Sequence, residues 1–467
     1  MLLERIYDEG LAQASYFIGC QREGKALVVD ARRDIQVYLD LAVKNDMEIT
    51  HVTETHIHAD YLSGSRELAA KTGAELLVSG EGGADWQYGF EAERLFHEDT
   101  IQLGNISVQA LHTPGHTPEH LSFLITDGAQ TDKPGYLLSG DFVFVGDLGR
   151  PDLLDEAAGG VDTRFAGAKD LFRSLKNVFL KLPDYVQVHP GHGAGSACGK
   201  ALGAIASTTV GYERSFSWWA PFLNDDDEAG FVSALLSGQP DAHAYFARMK
   251  RQNKLGPAIL GELPVMRELT AEEVTDELAA DTAIFVDTRP HDQVRAGTVA
   301  GALAVSAGNS ASNHAAWVID PELEDRELIV LAASQKAAED FRDALFRVGI
   351  DSATAWTESI EGLATFTPET ISPAELASSD LPLVDVRSKN EYADGTIPGA
   401  QQLSGGSALW KLNELPAKRF ITFCQSGVRN AVVASGLRRA GYDVVELEGS
   451  YAGWVAEQNN LIEAGSK

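Results

Sequence analysis

The stretch Thr55–Gly64, THIHADYLSG, places two histidines and an aspartate within five consecutive residues. The β-prone residues Ile49–Glu54 before it predict a strand, and Ser65–Lys71 after it predict a helix that ends at Gly73. A turn between a strand and a helix is a rigid position from which several side chains can point at one place. Imidazoles are costly to place there unless something binds them, so this pattern predicts a metal site.

Three further segments repeat the arrangement of a strand followed by a turn that offers histidine or aspartate. They are Ile106–His116, Tyr136–Asp141 and Tyr185–Gly193. Glycine or proline shapes each turn, and each strand is short and apolar or alternating. Four such turns in one chain strengthen the prediction of a metal centre.

In order and local context, these segments resemble the ligand motifs HxHxDH, GHT, GD and a late histidine of the metallo-β-lactamase fold. The resemblance implies an α/β protein with an αββα sandwich. One position departs from the motif, because Tyr61 stands where the family normally has a histidine that helps to hold a second metal. A phenol is a poor ligand for a divalent ion compared with an imidazole. Tyr61 therefore favours one metal over a two-zinc hydrolase centre.

Similarity to the persulfide dioxygenase branch of this fold implies one Fe(II) per chain, bound by His56, His116 and Asp141. Two histidines and one carboxylate form the facial triad of non-haem iron oxygenases. Other groups would then orient these ligands or touch the substrate. They are His58, Asp60, Tyr61, Arg150, His192 and Cys198.

Arg150 and Cys198 are each open to two interpretations. Arg150 lies in the segment GRPD and either holds a substrate carboxylate or makes a structural ion pair. Cys198 follows His192 by six residues in a glycine-rich setting. It either lies near the metal cleft, where it accepts or relays sulfur, or is a structural thiol. Cys20 has no accompanying motif and is predicted to lie in the core.

Length and composition limit the protein class. A chain of 467 residues exceeds one hydrophobic core, so two to four domains are expected. The net charge of −30, from 38 basic and 68 acidic residues, disfavours binding to nucleic acid or to an anionic membrane. Met1–Tyr16 carries acids and no long apolar core, so it does not match a signal peptide, and no apolar run reaches the ~18 residues of a membrane span. Three widely separated cysteines suit a reducing cytoplasm.

Two helical regions are predicted in the first part of the chain. Apolar residues recur at three- and four-residue steps from Phe165 to Leu182, which predicts one amphipathic helix. Residues 200–257 form a helical, aromatic-rich segment that is expected to cover one edge of the first domain. The acidic run Asp225–Glu228 within it is predicted to be a solvated loop.

The second half of the chain contains an internal repeat. The matching pairs are Ile284–Arg289 with Leu383–Arg387, Gly297–Ala302 with Gly395–Ala400, and Leu328–Ala332 with Phe420–Cys424. Asp385 lies 98 residues after Asp287, which is a domain-sized spacing. Alternating strands and helices predict a small parallel α/β sheet in each repeat, and both resemble rhodanese domains. The predicted domains are therefore 1–257, 265–362 and 368–467.

The second repeat carries a CxxGxR loop between an apolar strand and a helix. Its residues are Cys424, Gln425, Ser426, Gly427, Val428 and Arg429. Backbone N–H groups and a helix N-terminus stabilise a thiolate or persulfide in such a loop. Cys424 is the predicted catalytic thiol, and Arg429 supports the loop or contacts an anionic sulfur donor. The first repeat has Ala332 at the aligned position, so it is predicted to be a degenerate spacer.

A metal site and a sulfur-carrying thiol in one chain predict consecutive steps on the same sulfur atom. The architecture resembles a persulfide dioxygenase fused to a pseudo-rhodanese and a rhodanese domain. This resemblance implies that a low-molecular-weight thiol persulfide and O2 are substrates and that sulfite or thiosulfate is formed or used. The alternatives are a zinc-dependent thioester hydrolase of the glyoxalase II type with a fused sulfurtransferase, and a non-catalytic sulfur carrier. The sequence leaves the identity of the thiol and assembly into a homo-oligomer open.

Overall fold

A computed structural model describes residues 1–200 and 202–465 of the chain. Residues 201, 466 and 467, which fall in the predicted first and last domains, lie outside the described residues. The chain divides into two compact units. The first unit comprises Met1–Ala242 and Phe246–Leu263, and the second comprises His243–Tyr245 and Pro264–Lys467. How the second unit divides into two domains, and where the predicted boundaries fall, stays a prediction.

The first unit is built on two mixed sheets. Its strands are β1 (Leu2–Asp8), β2 (Gln13–Cys20), β3 (Lys25–Val29), β4 (Glu48–Thr53), β5 (Glu75–Ser79), β6 (Glu93–Leu95), β7 (Thr100–Leu103), β8 (Ile106–His112), β9 (Leu121–Asp127), β10 (Tyr136–Gly140), β11 (Gln187–Pro190) and β12 (Thr208–Thr209). One sheet has the order β1-β2-β3-β4-β5-β6 and the other β12-β11-β10-β9-β8-β7. Both mix parallel and antiparallel pairs, because β3 to β6 run parallel and so do β10 and β11.

Helices cover the outer faces of both sheets. They are α1 (Gln36–Lys44), α2 (Ser65–Thr72), α3 (Leu153–Glu156), α4 (Thr163–Asn177), α5 (Val210–Phe216), α6 (Ala220–Asn224), α7 (Glu228–Leu236) and α8 (Phe246–Leu255), with 3₁₀ turns at Ala84–Trp86 and Phe179–Lys181. One apolar cluster, including Tyr16 and Phe123, lies between the sheets. A second cluster joins α1 and α2 to the first sheet, and a third joins α4 to α7 to the second sheet. These layers are the αββα sandwich expected from the sequence.

Local sequence signals predicted the end of helix α2 correctly but placed the end of helix α4 too far along the chain. Helix α2 ends at Gly73, whose φ of 73° is left-handed and suits glycine, as predicted. The amphipathic helix predicted to reach Leu182 is shorter, because α4 ends at Asn177 and a 3₁₀ turn follows. Pro183 disfavours helical backbone at the residue before it, and Leu182 is accordingly extended with a ψ of 149°. No helix within residues 1–200 and 202–465 is long and apolar enough to cross a bilayer.

The second unit contains two parallel sheets with the same strand order. Its strands are β13 (Arg267–Glu268), β14 (Ala283–Asp287), β15 (Thr298–Val299), β16 (Leu303–Ala304), β17 (Glu327–Leu331), β18 (Ala353–Thr357), β19 (Thr365–Phe366), β20 (Thr370–Ile371), β21 (Leu383–Asp385), β22 (Gln401–Gln402), β23 (Phe420–Phe423) and β24 (Val444–Leu447). The orders are β13-β18-β17-β14-β16 and β20-β24-β23-β21-β22. The strands of these two sheets correspond one to one, so the internal repeat is a repeat of fold, while β15 and β19 pair with each other in a separate antiparallel sheet.

Helices flank both of these sheets. They are α9 (Ala271–Ala279), α10 (His291–Ala296), α11 (Ala311–Val318), α12 (Gln335–Phe346), α13 (Pro373–Leu376), α14 (Lys389–Ala393), α15 (Gly405–Ala408), α16 (Val428–Arg439) and α17 (Ser450–Gly465), with a 3₁₀ turn at Leu412–Glu414. The repeat extends to side-chain contacts. The guanidinium of Arg289 donates to Asp287 and to a glycine carbonyl eight residues further along the chain, and Arg387 donates to Asp385 in the same way.

Candidate metal centre and sulfur-carrying loop

The three predicted ligands, and His192, which was predicted to orient them or to touch the substrate, follow the C-terminal ends of four strands of the first unit. Residue His56 follows β4, His116 follows β8, Asp141 follows β10, and His192 follows β11. The ligand atoms of His56, His116 and Asp141 all lie within 4.8 Å of one another. The Nε2 atom of His116 is 3.6 Å from Oδ2 of Asp141, and Nε2 of His56 is 4.0 Å from the same oxygen. All three side chains are buried, so the fold brings together the set predicted from the sequence.

Hydrogen bonds from Nδ1–H fix the imidazoles of His56 and His116 in the tautomer that leaves Nε2 unprotonated. Nδ1–H of His116 donates to the carbonyl oxygen of Arg150 at 3.1 Å. The hydroxyl of Thr55 donates to Asp30 at 2.9 Å, so its oxygen accepts from Nδ1–H of His56 at 2.9 Å. Burial, with smaller contributions from neighbouring imidazoles, holds the pKa of both histidines well below the ordinary value. Two neutral imidazoles therefore present unprotonated Nε2 atoms to the same point.

Asp141 completes this donor set. Its Oδ2 has no hydrogen-bond partner among the described residues, although the group is buried. Burial raises the pKa of this carboxyl to about 6. A buried carboxylate oxygen without a donor is costly, and a divalent cation between it and two imidazole nitrogens removes that cost. The residues present therefore fit a metal ion.

Asp30 organises the turn that carries the first ligand, and sequence reasoning missed it. Its carboxylate accepts the backbone N–H and hydroxyl of Thr55 and lies 3.0 Å from Nε2 of His58. Its carbonyl accepts the hydroxyl of Tyr61 at 3.2 Å. The φ of Asp30 is 58°, an uncommon left-handed value for a residue with a side chain. His58 and Tyr61 are therefore bonded to Asp30.

Asn253, on helix α8, also holds this turn. Its amide nitrogen donates to the carbonyls of His58 and Tyr61 at 2.8 and 2.7 Å, and its oxygen accepts the N–H of Ser63 at 2.9 Å. One buried side chain thus satisfies three backbone groups of the turn. No local signal could have revealed it, because the contact spans about 190 residues of chain.

Two residues between the second ligand and strand β9 also went unrecognised. The buried carboxylate of Glu119 accepts the N–H of Ile57 at 2.8 Å, between the two histidines of the first motif. His120 accepts the N–H of Asp141 at 3.0 Å, and its ring stacks on His56 with centroids 5.2 Å apart. Burial lowers the pKa of His120 to about 3, so it acts as a neutral acceptor. The segment HTPEH was the available signal.

Asp60, His192 and Cys198 form a second cluster beside the first. Their ligand atoms also lie within 4.8 Å of one another. Nε2 of His192 is 3.4 Å from Oδ2 of Asp60 and 3.5 Å from Oδ1 of Asp141, and its Nδ1–H donates to the carbonyl of Ala12. Burial raises the pKa of the Cys198 thiol well above its ordinary value. Of the two interpretations of Cys198, the structure agrees with a position beside the metal cleft.

The side chain of Arg150 makes a structural ion pair. Its guanidinium is fully buried, bonds both oxygens of Asp152 and donates to the carbonyl of Ala197 at 3.0 Å. Its backbone carbonyl positions His116, as described above. Of the two interpretations of Arg150, the structure agrees with the ion pair.

The CxxGxR loop lies between β23 and α16 in the second unit. The N–H of Gly427 donates to Sγ of Cys424 at 3.1 Å, and Gly427 has a φ of 110°, which requires glycine. Cys424 is buried at the start of the loop. Gln425 lies 3.3 Å from a guanidinium nitrogen of Arg387, Ser426 separates it from Gly427, and Val428 begins α16. The loop therefore directs a backbone N–H at the thiol sulfur, which favours its anionic forms.

Known families match both units. The metallo-beta-lactamase superfamily matches residues 8–192, and the rhodanese-like domain family matches residues 373–457. A metallo-beta-lactamase from Staphylococcus aureus subsp. aureus COL is 36% identical, with a TM-score of 0.65, over 76% of this chain and 98% of that chain. The chain therefore belongs to the metallo-β-lactamase superfamily and carries a rhodanese-like domain in its second unit.

The chain is also similar to curated enzymes of two kinds. A hydroxyacylglutathione hydrolase from a Polaromonas species is 27% identical over 54% of this chain and 98% of its own length. The mitochondrial persulfide dioxygenase ETHE1 of Bos taurus is 25% identical over 41% of this chain and 68% of its own length. The chain is thus similar both to a hydroxyacylglutathione hydrolase and to a persulfide dioxygenase. Sequence similarity alone does not distinguish the two activities, so the choice between them depends on the residues of the site.

Proposed function

We propose that the chain is a non-haem iron persulfide dioxygenase linked to a sulfurtransferase. One observation carries the proposal: His56, His116 and Asp141 converge on one buried point, while Tyr61 is bonded to Asp30 and offers no second-metal ligand. Two histidines and one carboxylate with open positions are the ligand set of non-haem Fe(II) oxygenases. The similarity to the bovine persulfide dioxygenase supports the same assignment.

His56, His116 and Asp141 would hold the iron, and Fe(II) bound there would supply the redox chemistry that brings O2 to the substrate sulfur. Thr55 fixes the tautomer of His56, and the carbonyl of Arg150 fixes that of His116. Burial of the ligands excludes bulk water. In the overall reaction a persulfide RSSH, O2 and H2O give RSH, sulfite and two protons.

Sulfur transfer would take place at Cys424. Its thiolate attacks the outer sulfur of thiosulfate, the S–S bond breaks, and sulfite leaves with the electron pair, so the cysteine becomes a persulfide. The reverse reaction joins this sulfur to sulfite, which is the product of the first site. The N–H of Gly427 stabilises the charge on the cysteine sulfur in both directions.

A zinc-dependent thioester hydrolase is the second candidate. The cluster of Asp60, His192 and Cys198 favours it, because it offers further donors next to Asp141, as a two-metal centre would need. The hydroxyacylglutathione hydrolase among the relatives favours it too. Tyr61 and the rhodanese-like domain count against it.

The deciding experiment combines metal analysis of anaerobically purified full-length protein with oxygen uptake on addition of glutathione persulfide. About one iron per chain with rapid uptake is the result we expect. Two zinc ions per chain, no uptake, and hydrolysis of S-lactoylglutathione would replace the dioxygenase with the hydrolase. If the protein contains iron but takes up no oxygen with glutathione persulfide, the persulfides of coenzyme A and cysteine are tested next. Absence of oxygen uptake with all three persulfides would overturn the proposal.

A further inference from the structure

The degenerate repeat lies against the helix that carries the sulfur-transfer loop. Val294 of α10, Ala304 of β16 and Ala431 of α16 form one buried apolar cluster. The backbone N–H of Ala304 donates to the hydroxyl of Ser435 on α16 at 2.9 Å. These contacts fix α10 of the first repeat beside the N-terminal half of α16. The first repeat therefore adds side chains to the surroundings of the loop, which the sequence-based interpretation as a spacer did not include.

Arg295, the residue after Val294, covers Gly427 of the loop. A Cβ atom placed on Gly427 would lie 3.0 Å from Nη2 and 3.2 Å from Nη1 of Arg295. The ring of His291, on the same helix, would be 3.1 Å away. The N–H of Gly427 donates to Sγ of Cys424. The guanidinium of Arg295 thus occupies the space that a side chain at position 427 would fill, beside the residue whose N–H donates to the catalytic sulfur.

Arg295 contributes a positive charge that its own partner does not fully neutralise. Its Nε donates to Glu446 at 3.2 Å, but the same carboxylate also pairs with Arg438 at 2.9 Å. Two guanidinium groups on one carboxylate leave one net positive charge. Nη2 of Arg295 is buried and has no hydrogen-bond partner in the part of the chain that the structure describes. A buried N–H donor of this kind is costly without an acceptor, so an anion at this position is stabilised.

The arginine of the loop motif is less available than Arg295. Both outer nitrogens of Arg429 bond the carboxylate of Glu391 at 2.7 Å, so its charge is neutralised within its own repeat. A second cation with an unused donor would therefore strengthen the binding of an anionic sulfur compound at Cys424. Arg295 has the charge, the position and an unused donor.

We propose that Arg295 of the degenerate repeat binds the sulfonate oxygens of thiosulfate, and of the sulfite released from it, at the Cys424 site. This inference rests on the proposed sulfur-transfer function of Cys424. In the transfer step Cys424 sulfur bonds the outer sulfur of thiosulfate while sulfite leaves with the electron pair of the broken bond. Arg295 holds the oxygens of the departing dianion and forms no bond to sulfur. The second repeat alone is then an incomplete site.

The test compares Arg295→Met and Arg295→Lys in the full-length protein with thiosulfate as donor and cyanide as acceptor. The Met variant keeps the apolar stem without the charge. We expect it to raise the KM for thiosulfate about tenfold or more with kcat changed about threefold at most, because a charged hydrogen bond to the donor is lost. The KM of the Lys variant for thiosulfate should lie between those of the wild type and the Met variant. Arg326→Met is the matched control, because Arg326 lies in the same repeat and its charge is paired with Glu324 and Asp281.

A second measurement does not depend on turnover. Cys424 is alkylated with anionic iodoacetate and with neutral iodoacetamide, and its peptide is quantified by mass spectrometry. The ratio of the two rate constants should fall about tenfold in Arg295→Met, while the iodoacetamide rate stays constant. An unchanged ratio and KM, or an equal loss in Arg326→Met, would overturn the role of Arg295. A third outcome separates the two proposals. If the wild type transfers no sulfur but the ratio of the iodoacetate and iodoacetamide rate constants still falls in Arg295→Met, the proposed transfer function is wrong and the anion site remains.

Discussion

The guanidinium of Arg429 and the carboxylate of Glu391 form a two-pronged ion pair, in which Nη1 and Nη2 each donate at 2.7 Å. Glu391 also caps the first turn of α14 together with Ser388. The arginine of the CxxGxR motif is therefore bound to a helix start in its own repeat. Of the two roles predicted for Arg429, the geometry agrees with support of the loop.

This pair should make the stability of the second unit depend on pH. The hydrogen bonds from Arg429, followed by burial with the opposite sign, lower the pKa of Glu391 to about 2. A lowered pKa in the folded state contributes stability above the ordinary pKa of 4.5, and the contribution is lost as the pH falls towards 2. Thermal unfolding should show Glu391→Gln less stable than the wild type at pH 7, with a difference that shrinks below pH 4.5.

Glu375→Gln is the matched control for this experiment. Glu375 occupies the same position in the capping box of α13 with Ser372, but it has no arginine partner among the described residues. Its substitution should have a smaller effect at pH 7. Equal effects of both substitutions would mean that the capping box, and not the pair with Arg429, accounts for the stabilisation.

The two sites should fail independently. His116→Ala removes one of the proposed metal ligands, so the variant should lose bound metal and oxygen uptake while sulfur transfer at Cys424 continues. Cys424→Ser should abolish sulfur transfer and leave oxygen uptake unchanged, because a hydroxyl is not a sulfur carrier. Metal content and both activities are measured on the same preparations. Loss of both activities in either variant would contradict separate sites.

Tyr61 should limit the centre to one metal. In Tyr61→His an imidazole follows Asp60, whose carboxylate lies 3.4 Å from His192, so metal analysis should show an increase from about one towards two ions per chain. Tyr61→Phe keeps the ring and removes the hydroxyl without offering a ligand, and it should retain one. If Tyr61→His folds and binds the same amount of metal as Tyr61→Phe, the tyrosine does not set the metal count.

Thr55 should influence metal affinity without touching the metal. Thr55→Val removes the acceptor for Nδ1–H of His56 and leaves that N–H buried without a partner. Loss of such a group behind a histidine ligand weakens metal binding about 10- to 100-fold, measured as the dissociation constant in a chelator competition. Thr55→Ser keeps the hydroxyl and should bind as the wild type does. Equal affinity of the Val and Ser variants would exclude this role.

Asn253 should contribute to the stability of the first unit as well as to the site. Its replacement by alanine leaves two carbonyls and one N–H of the Thr55–Gly64 turn without their present partner. An unsatisfied buried group costs about 1–3 kcal/mol, so the free energy of unfolding should fall by at least about 2 kcal/mol. Asn45→Ala, which removes one local bond at a partly exposed helix end, should cost less than about 1 kcal/mol in the same denaturant titration. A loss in Asn253→Ala as small as in the control would refute the role.

The amino-acid sequence was sufficient to predict the class of fold, the internal repeat and the region of the candidate metal centre. Histidine and aspartate in short turns after strands indicated a metal site, and the resemblance to the persulfide dioxygenase branch selected His56, His116 and Asp141 as its ligands. The rhodanese-like repeat was visible in matching strand and loop segments, and the two sheets have the same strand order. These features depend on neighbouring residues, which the sequence displays directly.

Tertiary structure alone decided which groups surround those residues. Asp30 and Asn253 fix the first turn from distant segments, and Arg295 reaches the Cys424 loop from the repeat that has Ala332 at the position of the cysteine. Contacts of this kind join residues separated by about 25 to 190 positions and leave no periodic signal in the chain. The chemical nature of the ligands can therefore be predicted from the sequence. Their hydrogen bonds, tautomers and electrostatic partners depend on the fold.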